Sequence, residues 1–129
     1  MENISLIIVE DEAIIAADLA SVVERVGIHV LGTASSAKEA IEIATKMCPH
    51  LALMDINLDG PSNGIEAAQT IQKLCDNLPV IFLTGMQGID ESERVDLHGP
   101  HSFISKPFDN QSLLSEIEKV LNHRRHRPQ

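Results

Sequence analysis

Acidic side chains follow two of the apolar segments in this sequence of 129 residues. One short apolar run leads directly into Glu10 and Asp11, and another leads into Asp55, with Asn57 two residues further on. Carboxylates that lie within a few ångströms of one another repel strongly unless a cation sits among them. A ligand set made only of oxygen atoms favours a hard ion such as Mg²⁺. If the fold brings these segment ends together, they predict a magnesium site.

Two further apolar segments end in groups that suit a phosphoryl group. One ends in Thr84 and Gly85, and the last ends in Lys106. A lysine beside a cation site fits an anion that arrives next to the metal, because phosphoryl transfer depends on positioning and charge neutralisation. A carboxylate can then be the nucleophile and form an acyl phosphate. Each residue alone would be an ordinary loop residue, so the prediction rests on four segment ends that agree.

The spacing of apolar residues alternates between strand-like runs and helical stripes. Strands are predicted over 4–9, 28–33, 51–54, 79–84 and 102–105, and helices after Glu12, Ser36, Asn63 and Asp109, with a weaker helix over 89–98. Such alternation predicts one parallel sheet with helices on both faces. Five repeats are too few for a closed barrel. In an open sheet of this kind ligands bind beyond the carboxyl ends of the strands, which is where the polar residues fall.

Composition narrows the function further. The formal net charge is −9, and the chain has no Tyr or Trp and only three Phe. Both features argue against a nucleic-acid-binding face. No apolar run approaches the roughly 20 residues of a membrane span. Cys48 and Cys75 lie far apart without a CxxC motif, and we expect them to be reduced thiols of a cytosolic protein.

Four blocks of the sequence resemble the receiver domain of two-component response regulators. They are Ile-Val-Glu10-Asp11-Glu, Leu-Met-Asp55-Ile-Asn57-Leu, Phe-Leu-Thr84-Gly85 and Phe103-Ile-Ser-Lys106-Pro107-Phe108, in that order. The resemblance covers residues 4–122. It implies a receiver domain over 1–123 and a basic tail over 124–129. The implied fold is flavodoxin-like: an open, doubly wound, five-stranded parallel sheet of order 2-1-3-4-5 with five helices.

The resemblance also implies a phosphoacceptor and a metal site. Asp55 would accept the phosphoryl group. Mg²⁺ would be held by the carboxylates of Asp11 and Asp55, by the backbone carbonyl of Asn57, and by Glu10 through water. These assignments are expectations that come from the family and not from residue spacing.

The remaining roles that the resemblance implies concern the phosphoryl group and the switch. Thr84, Gly85 and Lys106 would bind the phosphoryl group. Thr84 and Phe103 would form the conformational switch, although Phe103 on a buried strand could instead be plain core. The Lys106–Pro107 peptide bond is expected to be cis, as in the family.

The implied function is a phosphorylation-controlled signalling switch in a bacterial two-component phosphorelay in the cytoplasm. The phosphoryl group would come from a histidine kinase or a histidine phosphotransfer protein. An unidentified output protein would be contacted without nucleic acid or membrane, and a dimer that forms on phosphorylation is left open. We expect no turnover of a separate substrate. Two alternatives remain: a Mg²⁺-dependent aspartate-nucleophile phosphatase, and a receiver that docks constitutively.

Overall fold

The computed structural model describes residues 3–56, 64–84 and 99–125. Its five strands are β1 (Ser5–Val9), β2 (His29–Ala34), β3 (Leu51–Asp55), β4 (Val80–Thr84) and β5 (His101–Ser105). They form one sheet in the order β2-β1-β3-β4-β5, and every neighbouring pair is parallel. The predicted open sheet of order 2-1-3-4-5 is therefore confirmed.

Helices cover both faces of this sheet. They are α1 (Ala13–Arg25), α2 (Ala37–Lys46), α3 (Gly64–Leu74) and α4 (Asn110–Arg125). Alternate residues of the central strands face opposite sides, so the fold has two apolar cores. One core joins β1, β3 and β4 to α2 and α3. The other joins the same strands to α1 and α4.

Three strands are buried on both faces and two are not. All residues of β3 and β4 are buried, as are four of the five in β1. The outer strands are less buried: three of the six residues of β2 and four of the five residues of β5 are half-buried. Apolar runs without alternation are typical of strands covered on both sides, so the sequence pattern is strongest where the sheet is central.

Local capping signals place the helix ends where the sequence predicts them. Gly27 follows α1 with a φ of 91°, a left-handed conformation that glycine adopts without a steric penalty. The Ser36 hydroxyl accepts a hydrogen bond from the Glu39 amide at 3.3 Å at the start of α2. At the start of α4, the Ser112 amide donates to the Asp109 carboxylate at 2.7 Å. These caps fix where each helix begins or ends relative to the neighbouring strand.

Some predicted features fall outside the described residues. They are the helix over 89–98, the Asn63 cap and residues 126–129 of the basic tail. The described residues accordingly contain four of the five predicted helices. Within those residues, no helix has the length and apolar character needed to cross a bilayer.

The expectation of two reduced cysteines is wrong for this structure. Cys48 and Cys75 form a disulfide with their Cα atoms 5.6 Å apart. Cys48 lies just after α2 and Cys75 just after α3. These helices pack side by side on one face of the sheet, so residues separated by 27 positions in sequence meet at their ends.

Candidate functional site

The end of β1 holds one buried and one partly exposed carboxylate. Backbone pairing with β2 continues one residue beyond β1, because the Glu10 amide donates to the Ala34 carbonyl at 2.8 Å. Glu10 is only 3% exposed, and its Oε2 accepts the Glu12 amide at 3.2 Å. Glu12 is the N-cap of α1. The start of α1 therefore orients the Glu10 carboxylate, while Asp11 lies half-buried beside it.

The end of β3 places Asp55 next to these acids. Asp55 is 6% exposed. The start of α3 contacts the backbone next to Asp55: the Gly64 amide donates to the Ile56 carbonyl at 2.9 Å. A Cβ atom on Gly64 would overlap the Asp55 carbonyl oxygen and lie 2.8 Å from the Ile56 Cα. Glycine is thus needed for α3 to approach the backbone of Asp55 this closely.

Lys106 brings a positive charge to the same edge of the sheet. Its backbone amide donates to the Thr84 carbonyl at 2.8 Å, which extends the pairing of β5 with β4. Its Nζ lies 3.4 Å from Glu10 Oε1 and 3.6 Å from Asp55 Oδ2. The ammonium therefore contacts one carboxylate that follows β1 and one that ends β3. The Lys106–Pro107 peptide bond is cis, as expected.

The three carboxylates form a compact oxygen cluster. One carboxylate oxygen from each of Glu10, Asp11 and Asp55 lies within 4.8 Å of the others. The pKa of Glu10 is raised from 4.5 to about 7: burial is the largest cause, the neighbouring Asp11 and Asp55 also raise it, and the hydrogen bond from the Glu12 amide lowers it. A raised carboxyl pKa means that the surroundings stabilise the ionised form less well than water does. Three hard oxygen donors in this state fit a divalent cation such as Mg²⁺.

The two predicted switch residues lie on β4 and β5. Thr84 is buried at the end of β4, and its hydroxyl donates to the Ile104 carbonyl at 3.4 Å. The half-buried Phe103 ring stacks on Phe82 with ring centroids 5.2 Å apart. His101 contacts the Phe103 ring edge-on at 5.6 Å. Phe103 is therefore packed against the core in this conformation, on the strand that carries Lys106.

The structure brings four of the predicted site residues together: Glu10, Asp11, Asp55 and Lys106. Thr84 ends the adjacent strand. The predictions for Asn57 and Gly85 lie outside the described residues.

Sequence reasoning missed Gln72, a buried amide on α3. Its Nε2 donates to the Leu78 carbonyl at 3.1 Å and to the Pro100 carbonyl at 3.0 Å. Gln72 thus joins the end of α3 to the chain just before β5. The available signal was a polar residue next to the apolar stripe of α3, directly after Ile71.

An open parallel sheet that gathers three carboxylates and a lysine at its carboxyl edge defines an α/β domain suited to a hard cation and an oxyanion. The chain matches the response regulator receiver domain family over residues 6–118. It therefore belongs to that family and is a receiver domain of two-component signalling.

Relatives and solved structures agree with this membership. The chain is 32% identical to the transcriptional regulatory protein PdtaR of Mycobacterium tuberculosis, over 91% of this chain and 56% of that protein. It is 36% identical to the phyllosphere-induced regulator PhyR of Methylorubrum extorquens, over 90% of this chain and 43% of that protein. The chain thus spans about half the length of these relatives.

A similar solved structure is the signal receiver domain of a modulated diguanylate cyclase from Desulfovibrio desulfuricans. It superposes with a TM-score of 0.81 at 31% identity and covers 95% of this chain and 96% of that one. The likeness thus extends over nearly the whole of both chains.

Proposed function

We propose that Asp55 accepts a phosphoryl group from a phosphohistidine of a histidine kinase or histidine phosphotransfer protein. The observation that carries the proposal is the position of Lys106 Nζ, 3.6 Å from Asp55 Oδ2 and 3.4 Å from Glu10 Oε1. A buried nucleophile beside a fixed cation matches what phosphoryl transfer requires, which is positioning and neutralisation of charge.

In the proposed reaction, an Asp55 carboxylate oxygen attacks phosphorus and the phosphorus–nitrogen bond of phosphohistidine breaks. The imidazole leaves with its electron pair, and Asp55 becomes an acyl phosphate. The Lys106 ammonium pairs with the incoming phosphoryl oxygens. Glu10, Asp11 and Asp55 would hold Mg²⁺, with the Asn57 carbonyl as a further predicted ligand. The ion would supply further neutralisation of charge on the phosphoryl group.

Thr84 supplies the proposed response to phosphorylation. Its hydroxyl now donates to the Ile104 carbonyl. An acyl phosphate on Asp55 is a stronger, charged acceptor at the neighbouring strand end, so the hydroxyl would turn toward it. Because Phe103 precedes Ile104 on β5, a change at Ile104 alters the packing of Phe103. Phosphorylation would then shift populations of two conformations, with Gly85 as a predicted neighbour of the phosphoryl group.

The output in this proposal is a protein–protein contact. The surface that would change includes β5 and α4, since Phe103 lies on β5 and Lys106 directly follows it. The domain would act in the cytoplasm as a switch without turnover of a separate substrate. The output partner is an unidentified protein.

Labelling by a small phosphodonor tests the assignment. With acetyl phosphate and Mg²⁺, intact-mass measurement should show one added phosphoryl group on the wild type and none on Asp55→Asn. Asp18→Asn, an exposed acid on α1, is the matched control and should be labelled like the wild type. Equal labelling of Asp55→Asn would refute the assignment. Sustained hydrolysis of p-nitrophenyl phosphate would instead support the phosphatase alternative.

A further inference from the structure

A second chemically reactive pair lies at the opposite end of α3 from the acidic cluster. The first residue of α3, Gly64, abuts Asp55, and Cys75 directly follows the last. Cys48 and Cys75 are joined through their sulfur atoms, with Cα atoms 5.6 Å apart. That separation is ordinary for disulfides, so the backbone can hold the bonded state without moving.

The two cysteines differ in accessibility. Cys48 is exposed beyond the end of α2. Cys75 is 8% exposed and belongs to the core between α2, α3 and the sheet. Both sulfur atoms also lie close to the Ala44 carbonyl oxygen, at 3.7 Å and 3.9 Å. A reagent in solution therefore meets Cys48 before Cys75.

We propose that Cys48 and Cys75 form a thiol–disulfide exchange site that takes a low-molecular-weight disulfide of the glutathione class. The Cys48 thiolate attacks one sulfur of that disulfide, its sulfur–sulfur bond breaks, and one small thiolate leaves. The Cys75 thiolate then attacks the Cys48 sulfur and expels the second small thiolate. The two protons lost by the protein thiols end on the two small thiols. Small thiols reverse the sequence by attack at the exposed Cys48.

Oxidation ties α2 to the end of α3 that carries Gln72. Gln72 lies less than one turn before Cys75, and its Nε2 holds the Pro100 carbonyl at 3.0 Å. Pro100 immediately precedes β5, the strand that contains Phe103 and leads into Lys106. The disulfide also closes a ring between residues 27 positions apart, which restricts the unfolded chain. The oxidised state thus restrains α3 and stabilises the fold.

Glutathione redox buffers applied to the full chain test the proposal, which does not depend on phosphorylation of Asp55. As the share of oxidised glutathione rises, peptide mapping should show a Cys48–Cys75 linkage, and addition of excess reduced glutathione should remove it. The melting midpoint of the oxidised form should be about 10 °C higher. Cys75→Ser should instead accumulate glutathione on Cys48, whereas Cys48→Ser should react much more slowly.

Hydrogen exchange then tests the restraint on α3. Amides of 71–80 and 99–103 should exchange more slowly in the oxidised wild type than in the reduced wild type. Oxidised glutathione should have no such effect on Cys48→Ser. Mixed disulfides or disulfide-linked dimers without the intramolecular linkage would overturn the exchange site. Equal exchange in both redox states would overturn the restraint.

Discussion

Lys106 Nζ lies 3.4 Å from Glu10 Oε1, so a lysine at the end of β5 pairs with a carboxylate 96 residues earlier in the chain. The Glu10 side chain is fully buried, whereas that of Lys106 is 31% exposed. The ammonium therefore partly compensates a carboxylate that water does not reach, and it would compete for the same charge with a Mg²⁺ ion at the proposed site. Replacement of Lys106 separates these two effects.

Lys106→Met should lower phosphoryl labelling of Asp55 and tighten Mg²⁺ binding. Labelling falls because the cation that pairs with the phosphoryl oxygens is lost. Binding tightens by about threefold to tenfold, because one positive charge near the acidic cluster has gone. Isothermal titration with Mg²⁺ and intact-mass labelling measure the two effects. Lys119→Met, which removes an exposed lysine 3.8 Å from Glu116, should change neither. Weaker Mg²⁺ binding by Lys106→Met would contradict the prediction.

Mg²⁺ should stabilise the fold through Glu10, Asp11 and Asp55. At about 100 times its dissociation constant, an ion that binds only the folded chain adds about 2.7 kcal/mol to the free energy of unfolding. Asp11→Ala should lose most of this gain and should be more stable than the wild type without metal, because one repelling charge is gone. Denaturation with and without Mg²⁺ measures both, with Asp18→Ala as control. If Mg²⁺ up to high millimolar concentration does not change the free energy of unfolding of the wild type, these residues do not form a metal site.

Gly64→Ala should be strongly destabilising and should reduce labelling of Asp55. The new Cβ would overlap the Asp55 carbonyl oxygen and crowd the Ile56 Cα. Both are backbone atoms, so they cannot move away without shifting the chain. We expect a loss of about 2 kcal/mol or more in the free energy of unfolding. The control is Gly32→Ala, where the Cβ would meet only the Ile43 side chain, whose nearest atom is the flexible Cδ1 at 3.0 Å. A Gly64→Ala protein as stable as Gly32→Ala would contradict the close approach.

Gln72→Met should destabilise the fold and loosen the chain before β5. The variant keeps the length of the side chain but leaves the Leu78 and Pro100 carbonyls without the Nε2 donor. Loss of a buried hydrogen-bond partner costs about 1–3 kcal/mol. Urea denaturation measures the loss, and hydrogen exchange at 99–103 should become faster. Gln111→Met, at an exposed position of α4, should leave both unchanged, and an unaffected Gln72→Met would refute the link.

Stability on the acid side should depend on Asp109. Hydrogen bonds from the hydroxyl and the amide of Ser112 hold the pKa of Asp109 below its usual value. A carboxyl whose pKa is lower in the folded state stabilises the fold above the unfolded pKa, and this is lost as pH falls through the folded pKa. Asp109→Asn keeps a cap but removes the charge. Its stability should fall less than that of the wild type below about pH 4, whereas Asp18→Asn should follow the wild type.

The alternation of strands and helices and the residues at the strand ends could be predicted from the sequence. Apolar periodicity and caps such as Ser36 and Asp109 depend on residues only a few positions apart, so they can be recognised in the sequence alone. A parallel sheet then brings its carboxyl ends to one edge by necessity. For this reason Glu10, Asp55 and Lys106 could be assigned to one site in advance.

Contacts between elements that are distant in sequence were decided only by the tertiary structure. The Cys48–Cys75 disulfide depends on α2 and α3 ending side by side, and no local spacing encodes that. Gln72 contacts Pro100, 28 residues later in the chain, because α3 packs beside the segment that leads into β5. Periodicity tells which face of an element is buried, but the side chain that each buried group meets depends on the packing of all the layers together.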